Sequence, residues 1–222
     1  MIGAIVQARM SSIRFPGKVL YKVNGKPLLK YLIESLFQCS VIDQVVVATS
    51  IEQSDKPIVE FCQSIGVECY QGPLENVADR FAKLLEKYKF DAFVRICGDS
   101  PMLDYRLVSR AVSYFNNGEF DIVTNTLKRT FPKGQSIEIV NRDVFKTAYP
   151  LMKTRIEKEH VTKYFYLNVE KFNIYNFESG EDLGKVQLSV DTTKDMLKFK
   201  TILTSMERPH WQYTFKDILK RI

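Results

Sequence analysis

The sequence has few cysteines, no long apolar run and no block of charge of one sign. Only 4 of its 222 residues are cysteine, and none belongs to a Cys-x-x-Cys pair or to a Cys/His cluster with zinc spacing. A disulfide scaffold and a zinc module are therefore excluded, and small buried thiols in a reducing compartment are favoured. The first residues contain no basic segment and no cleavage site, and their apolar run is too short to span a membrane. We therefore expect a cytoplasmic protein without a membrane partner.

Basic residues outnumber acidic ones, 32 against 26, but the two signs are interleaved along the chain. Since no RNA-binding signature accompanies this surplus, we do not expect a nucleic-acid partner. A small polyanion such as a nucleotide triphosphate explains the surplus equally well. No linker, repeat or low-complexity segment is present, and 45% of the residues are hydrophobic. Residues 1–222 are therefore predicted to form a single domain.

Short apolar runs alternate with amphipathic helical segments through the first half of the chain. The runs predict strands at Ile2–Gln7, Val45–Thr49, Val67–Tyr70 and Ala92–Ile96. The second half is less regular, and its predictions include a helix near Glu157–Leu167 and a strand near Gln187–Val190. This order is typical of an α/β fold with a mixed, mostly parallel sheet and helices on both faces. Ligands of such sheets bind beyond the carboxyl ends of the strands.

The loop after the first strand combines cations with small residues. Arg9, Arg14 and Lys18 lie in a segment that also contains two serines and a glycine. Fixed positive charge and close backbone approach both suit a phosphate. The loop is not a P-loop, because that pattern would need Gly in place of Ser12 and Ser or Thr in place of Val19. On charge alone, a basic surface loop is an equally good interpretation.

Two aspartates follow predicted strands of the sheet. Asp99 comes after the strand at Ala92–Ile96, and Asp191 comes after the one at Gln187–Val190. Carboxylates from two strand ends can share a Mg²⁺ ion whose other sites hold water and phosphate oxygens. Without a metal, such a pair would repel and the pKa of one member would rise. The alternative is that each aspartate only caps or turns the chain.

Six segments together resemble the spore-coat-polysaccharide type of cytidylyltransferase, a relative of the acylneuraminate and 3-deoxy-manno-octulosonate cytidylyltransferases. These segments are Ile5–Leu20, Val46–Ser50, Arg95–Pro101, Thr124–Thr126, Glu159–Thr162 and Ser189–Thr192. The resemblance implies a Rossmann-like nucleotide-diphospho-sugar transferase fold. It also implies transfer of CMP from CTP to a sugar acid or sugar-like, in some cases phosphorylated, acceptor, with release of pyrophosphate. Such products are precursors of surface polysaccharides or glycoconjugates.

The resemblance also implies roles for individual residues. Arg9 and Lys18 would hold the triphosphate and stabilise the departing pyrophosphate, and Asp99 and Asp191 would bind Mg²⁺. The nucleotide-binding set comprises Gln7, Ala8, Arg9, Ser11, Ser12, Lys18, Thr49 and Asn76. For Asn76, a plain helix cap is an equally good interpretation. The candidates for acceptor binding are Arg129, Glu138, Glu159 and His160, of which Arg129 is chosen for its charge alone.

Two other classes of function fit parts of the sequence. A glycosyltransferase of the same general fold would normally carry a metal-binding Asp-x-Asp, whereas Asp99-Ser100-Pro101 lacks the second aspartate. A nucleotide-sensing module would not need carboxylates at two strand ends. The sequence leaves the acceptor open among nonulosonic acids, octulosonic acids and small phosphorylated metabolites. It also leaves a homodimer open.

Overall fold

The computed structural model describes residues 1–222. The strands are β1 (Ile2–Gln7), β2 (Lys22–Val23), β3 (Lys26–Pro27), β4 (Gln44–Ser50), β5 (Glu68–Gly72), β6 (Ala92–Cys97), β7 (Ile122–Thr124), β8 (Glu138–Asn141) and β9 (Ile174–Asn176). The α-helices are α1 (Leu28–Leu36), α2 (Lys56–Ser64), α3 (Val77–Lys87), α4 (Tyr105–Asn117), α5 (Arg142–Ala148), α6 (Arg155–Glu159), α7 (Lys163–Leu167), α8 (Thr193–Thr204) and α9 (Phe215–Leu219). None of these helices combines the length and the apolar character that crossing a membrane requires.

Seven strands form one sheet in the order β5-β4-β1-β6-β8-β7-β9. The first four are mutually parallel, β8 is antiparallel to both of its neighbours, and β7 pairs with β9 in parallel. Along β1, Ala4 and Val6 face the layer that contains α1, α2 and α4, and Ile5 faces the layer that contains α3, α5 and α7. Because both faces are buried, the strand is apolar without alternation. The predicted mixed, mostly parallel sheet with helices on both faces is confirmed.

The predicted strand at Gln187–Val190 is absent, and only an isolated bridge joins Gln187 to Lys133. The segment instead bonds through its backbone to Lys133, whose carbonyl oxygen accepts from the N–H groups of Leu188 at 2.9 Å and Ser189 at 3.1 Å. This close approach requires Gly134, which has φ +93° and whose Cβ, if present, would lie 2.6 Å from the Ser189 nitrogen. The backbone therefore crosses the end of the sheet and does not extend it.

The predicted helix over Glu157–Leu167 is two short helices, α6 and α7. Thr154 begins α6 with a capping box, and His160 ends it with φ −106° and ψ 60°. The turn after His160 brings the hydroxyl of Thr162 to 2.6 Å from Oε1 of the buried Glu138. A continuous helix would have to give up this hydrogen bond to a buried carboxylate, whose loss is costly.

Candidate functional site

The carboxyl ends of β1 and β6 open into a cleft of about 370 Å³. Because these strands are parallel neighbours, the residues that follow them meet at one edge of the sheet. The cleft is lined by Gln7, Ala8, Arg9, Ser12, Ile13, Arg14, Lys18, Val19, Val77, Arg80, Cys97, Gly98, Asp99, Glu159, His160 and Asp191. The structure thus brings the first loop, both predicted metal ligands and two of the predicted acceptor residues to one place.

The cationic loop is closed by hydrogen bonds of its own backbone. The carbonyl oxygen of Met10 accepts from the N–H groups of Ser12 at 2.9 Å and Gly17 at 2.8 Å. Gly17 has φ +72°, a conformation that other residues adopt only with strain. The side chains of Arg9 and Arg14 remain 43% and 66% exposed, so both cations are available to an anion that enters the cleft.

The side chain of Lys18 lies between the two aspartates at the floor of the cleft. Its Nζ is 2.7 Å from Oδ2 of Asp99 and 3.0 Å from Oδ1 of Asp191. Arg14 approaches the same oxygen of Asp191 to 3.1 Å. Burial by itself would lower the pKa of Lys18, but the charges and hydrogen bonds of the two carboxylates outweigh it and raise that pKa.

The environment of Asp191 opposes the rise in pKa that repulsion between two carboxylates would cause. Partial burial favours the neutral form of Asp191, but the hydrogen bond and charge of Lys18, together with the charge of Arg14, hold the pKa of Asp191 below its usual value. Asp191 is therefore not a member of the pair whose pKa is raised. The physical reason is that an ammonium group separates the two carboxylates.

The residues at the floor fit a Mg²⁺ ion that arrives with phosphate. One oxygen of Asp99 and one of Asp191 already contact the same cation, the ammonium of Lys18. Mg²⁺ usually takes one or two carboxylates and completes its coordination with water and substrate phosphates. No group of three or more His, Cys, Asp or Glu side chains is arranged to hold a metal with protein ligands alone.

A second cavity of about 290 Å³ adjoins the cleft. It shares Cys97 and His160 with the cleft, and its other lining residues are Arg95, Thr126, Arg129, Ser136, Glu138, Thr162, Lys163 and Tyr166. Of the predicted acceptor residues, Arg129, Glu138 and His160 line this cavity. Glu159 lies in the cleft, where its Oε1 is 3.6 Å from the guanidinium of Arg9.

The oxygens of Glu138 are already bound by protein groups. One accepts from the hydroxyls of Thr162 at 2.6 Å and Tyr166 at 2.7 Å, and the other pairs with the guanidinium of Arg95. Burial of Glu138 favours the neutral acid, but Arg95 and the two hydroxyls outweigh burial and lower its pKa. Glu138 therefore forms part of the wall of the second cavity, and both of its oxygens already have protein partners.

Arg95 connects the two cavities. Its guanidinium pairs with Glu138, and its Nε donates to Oε1 of Gln7 at 2.9 Å. Gln7 lines the cleft, and this hydrogen bond to its oxygen leaves its NH₂ group available as a donor. No role for Arg95 is predicted from the sequence, although a lone cation in the apolar run Ala92–Ile96 is a signal that such a role exists.

Two further residues that support the cleft are absent from the sequence predictions. Asp55 is fully buried and accepts from the backbone N–H of Met10 at 2.7 Å, which anchors the start of the cationic loop. Arg80 is buried in the wall and donates to the carbonyl oxygens of Pro73 and Leu74, and its burial lowers the pKa to about 10. Neither residue belongs to a local motif, so only a three-dimensional structure identifies them.

Three residues of the predicted nucleotide-binding set lie outside the lining of the cleft. Thr49 is fully buried and its hydroxyl has no hydrogen-bond partner, so the assignment of its side chain to the nucleotide is corrected. Because side chains alternate along a strand, that of Thr49 points away from the face reached by Ala48. The side chain of Asn76 accepts from the Asp79 N–H at 3.0 Å, as expected for the helix-cap interpretation. Ser11 is exposed beside the cleft.

The chain is similar to known proteins over nearly its whole length. A family model described as cytidylyltransferase matches residues 3–211. The chain is 35% identical to an uncharacterized protein of Methanocaldococcus jannaschii, over 86% of this chain and 78% of that one. It is 30% identical to the spore coat polysaccharide biosynthesis protein SpsF of Bacillus subtilis, over 92% and 88%. A cytidylyltransferase structure from Leptospira borgpetersenii superimposes with a TM-score of 0.93 at 27% identity, covering 99% of this chain and 92% of that one.

Proposed function

Because this chain belongs to the cytidylyltransferase family, we propose that it transfers CMP from CTP to a sugar acid or a sugar-like acceptor and releases pyrophosphate. The observation that carries the proposal is the contact of Lys18 with both Asp99 and Asp191 at the floor of a cleft whose mouth holds two further cations. The similarity to a spore coat polysaccharide biosynthesis protein favours a product used for a surface polysaccharide or glycoconjugate. We place the reaction in the cytoplasm, with no nucleic-acid or membrane partner.

The triphosphate of CTP is the anion for which the cations of the cleft are suited. Arg9 and Arg14 bind the β- and γ-phosphates from the exposed side, and Lys18 binds them from the floor. When pyrophosphate leaves, negative charge grows on the β-phosphate, and these cations stabilise it. Asp99 and Asp191 would hold Mg²⁺, which would supply further neutralisation at the α-phosphate.

The second cavity is suited to an acceptor that carries an anionic group. Its only carboxylate, Glu138, is neutralised by Arg95, whereas Arg129 and Lys163 have no carboxylate partner. The attacking hydroxyl of such an acceptor would lie near Cys97 and His160, where the two cavities meet. Burial raises the pKa of the Cys97 thiol to about 11, so the thiol is neutral at pH 7 and forms part of the wall.

Pyrophosphate release, measured with each of the four ribonucleoside triphosphates and a panel of sugar acids and sugar phosphates, tests this proposal. We expect release with CTP and Mg²⁺ only, and only when an anionic acceptor is present. CTP at 100 times its Kd should stabilise the protein by about 2.7 kcal/mol relative to the free protein, and the other three nucleotides at the same concentration should stabilise it less. Equal stabilisation by all four would contradict the cytidine assignment, and turnover of a nucleotide sugar instead would indicate a glycosyltransferase.

A further inference from the structure

The ammonium of Lys18 occupies the position between the two carboxylates that a divalent metal would need. Its Nζ contacts one oxygen of each aspartate, at 2.7 Å and 3.0 Å. A Mg²⁺ ion bound directly to the same two oxygens would sit about 2.1 Å from each. The ammonium and the metal would then compete for the same lone pairs and repel each other at short range.

The charges around this position are already balanced in the free protein. Asp99 and Asp191 carry two negative charges, and Lys18 and Arg14 carry two positive charges within 3.1 Å of them. A free divalent cation would therefore approach a group of side chains with no net charge. Since Lys18 is only 9% exposed, water screens its contacts weakly.

Binding of a triphosphate changes this charge balance, because its oxygens give Lys18 and Arg14 new partners. Lys18 already lines the cleft, and two of its three N–H donors are used by the aspartates. Arg14 is 66% exposed and already lines the cleft. When both cations contact phosphates, the two carboxylates are left with their full negative charge and attract a divalent metal.

We propose that Lys18 alternates between two sets of partners and thereby controls when the metal can bind. In the free protein, its ammonium fills the cation position between Asp99 and Asp191. When a nucleotide triphosphate binds, Lys18 moves to the phosphates, and a divalent metal takes its place. The metal therefore enters together with the nucleotide and does not bind first. The part that concerns CTP rests on the proposed function, whereas the competition between Lys18 and the metal does not.

The test measures binding of Mn²⁺ to the full chain without nucleotide, by the electron paramagnetic resonance signal of the free ion. We expect weak binding to the wild type and binding at least about tenfold tighter to Lys18→Met, because the competing ammonium is gone. Lys22→Met, which removes an exposed lysine, should match the wild type. Adding Asp99→Asn to Lys18→Met should abolish the gain, since it removes one of the two ligands.

Equal affinities of the wild type and Lys18→Met for Mn²⁺ would overturn the proposal, as would a gain that survives Asp99→Asn. Thermal melts show whether Lys18→Met folds, and Lys18→Gln replaces it in the titration if it does not. Addition of CTP should tighten Mn²⁺ binding to the wild type and have a smaller effect on Lys18→Met. If CTP is not the nucleotide, only this last arm fails, so the nucleotide-free arm still decides whether Lys18 blocks the metal position.

Discussion

The backbone N–H of Val190 donates to the carbonyl oxygen of Asp99 at 2.8 Å. This single bond joins two segments that are 91 residues apart in the chain. Since Asp191 directly follows Val190, the bond fixes the second carboxylate beside the first. The two aspartates therefore meet because the segment Gln187–Val190 bonds to the chain just beyond β6, without any strand pairing between them.

We expect Asp99→Asn and Asp191→Asn each to abolish most CTP-dependent pyrophosphate release. If both residues act through one metal ion, the double variant should be little worse than either single one. Each single change also removes a partner of Lys18, so stability should fall by roughly 1–2 kcal/mol, less than for a fully buried pair because both carboxylates are about a quarter exposed. Asp182→Asn, at an exposed position, is the matched control. If instead the activity losses of the two single variants multiply in the double variant throughout a Mg²⁺ titration, the two residues act at independent sites.

Replacing Lys18 by alanine should lower turnover by roughly 100-fold or more, as the loss of one stabilising donor typically does. Binding of CTP should weaken less, because Arg9 and Arg14 remain at the mouth of the cleft. Steady-state kinetics of pyrophosphate release, together with CTP titrations, separate the two effects. Near-normal turnover in Lys18→Ala, with Lys22→Ala as the control, would show that Lys18 takes no part in the reaction.

Glu138 should make the stability of the protein sensitive to acid. Its pKa is lowered in the folded state, so its contribution is fully present above about pH 4.3, the ordinary pKa of glutamate, and is lost as the pH falls through the lowered value. At pH 7, Glu138→Gln should cost roughly 3–5 kcal/mol, because it leaves Arg95 buried without a counter-charge. Urea unfolding from pH 7 to pH 3 should show the difference from the wild type shrinking below about pH 4. Glu178→Gln, which removes an exposed ion-pair partner of Lys128, should show little effect at any pH.

Thr49→Val should raise the free energy of unfolding by roughly 1 kcal/mol, because it removes a buried hydroxyl that has no partner. The KM for CTP should stay unchanged, since Thr49 does not line the cleft. Thr162→Val provides the opposite case: its hydroxyl donates to Glu138 at 2.6 Å, and its loss should cost roughly 1.5–3 kcal/mol. A higher KM for CTP in Thr49→Val would restore the nucleotide-binding role that the sequence suggests.

The sequence predicts the parallel half of the sheet well because each of those strands is a short run of apolar residues. β1 and β6 are both buried on two faces, and the loops that follow them carry Lys18 and Asp99. A local pattern of this kind requires no knowledge of distant contacts. The same reasoning fails at Thr49, because the position of a residue at a strand end does not say which face its side chain occupies.

The second half of the chain depends on contacts that no local pattern reveals. Asp191 lies where the sequence predicts it, but the predicted strand before it is absent, and its place depends on Gly134 and on the carbonyl oxygen of Asp99. The position of Lys18 between the aspartates is also a long-range result, since its partners lie 81 and 173 residues further along the chain. Pairings at such separations follow from the assembled sheet.

The separation of the two aspartates also affects the chain while it is being synthesised. Asp191 follows Asp99 by 92 residues, so at about 5–20 residues per second a ribosome needs roughly 5 to 18 s to advance from one to the other. During that interval, Val190 and Asp191 have not yet been synthesised. Lys18 therefore has only one of its two carboxylate partners, and the carbonyl oxygen of Asp99 lacks its N–H donor. A nascent chain can therefore assemble β1, β4, β5 and β6 while the floor of its cleft is still incomplete.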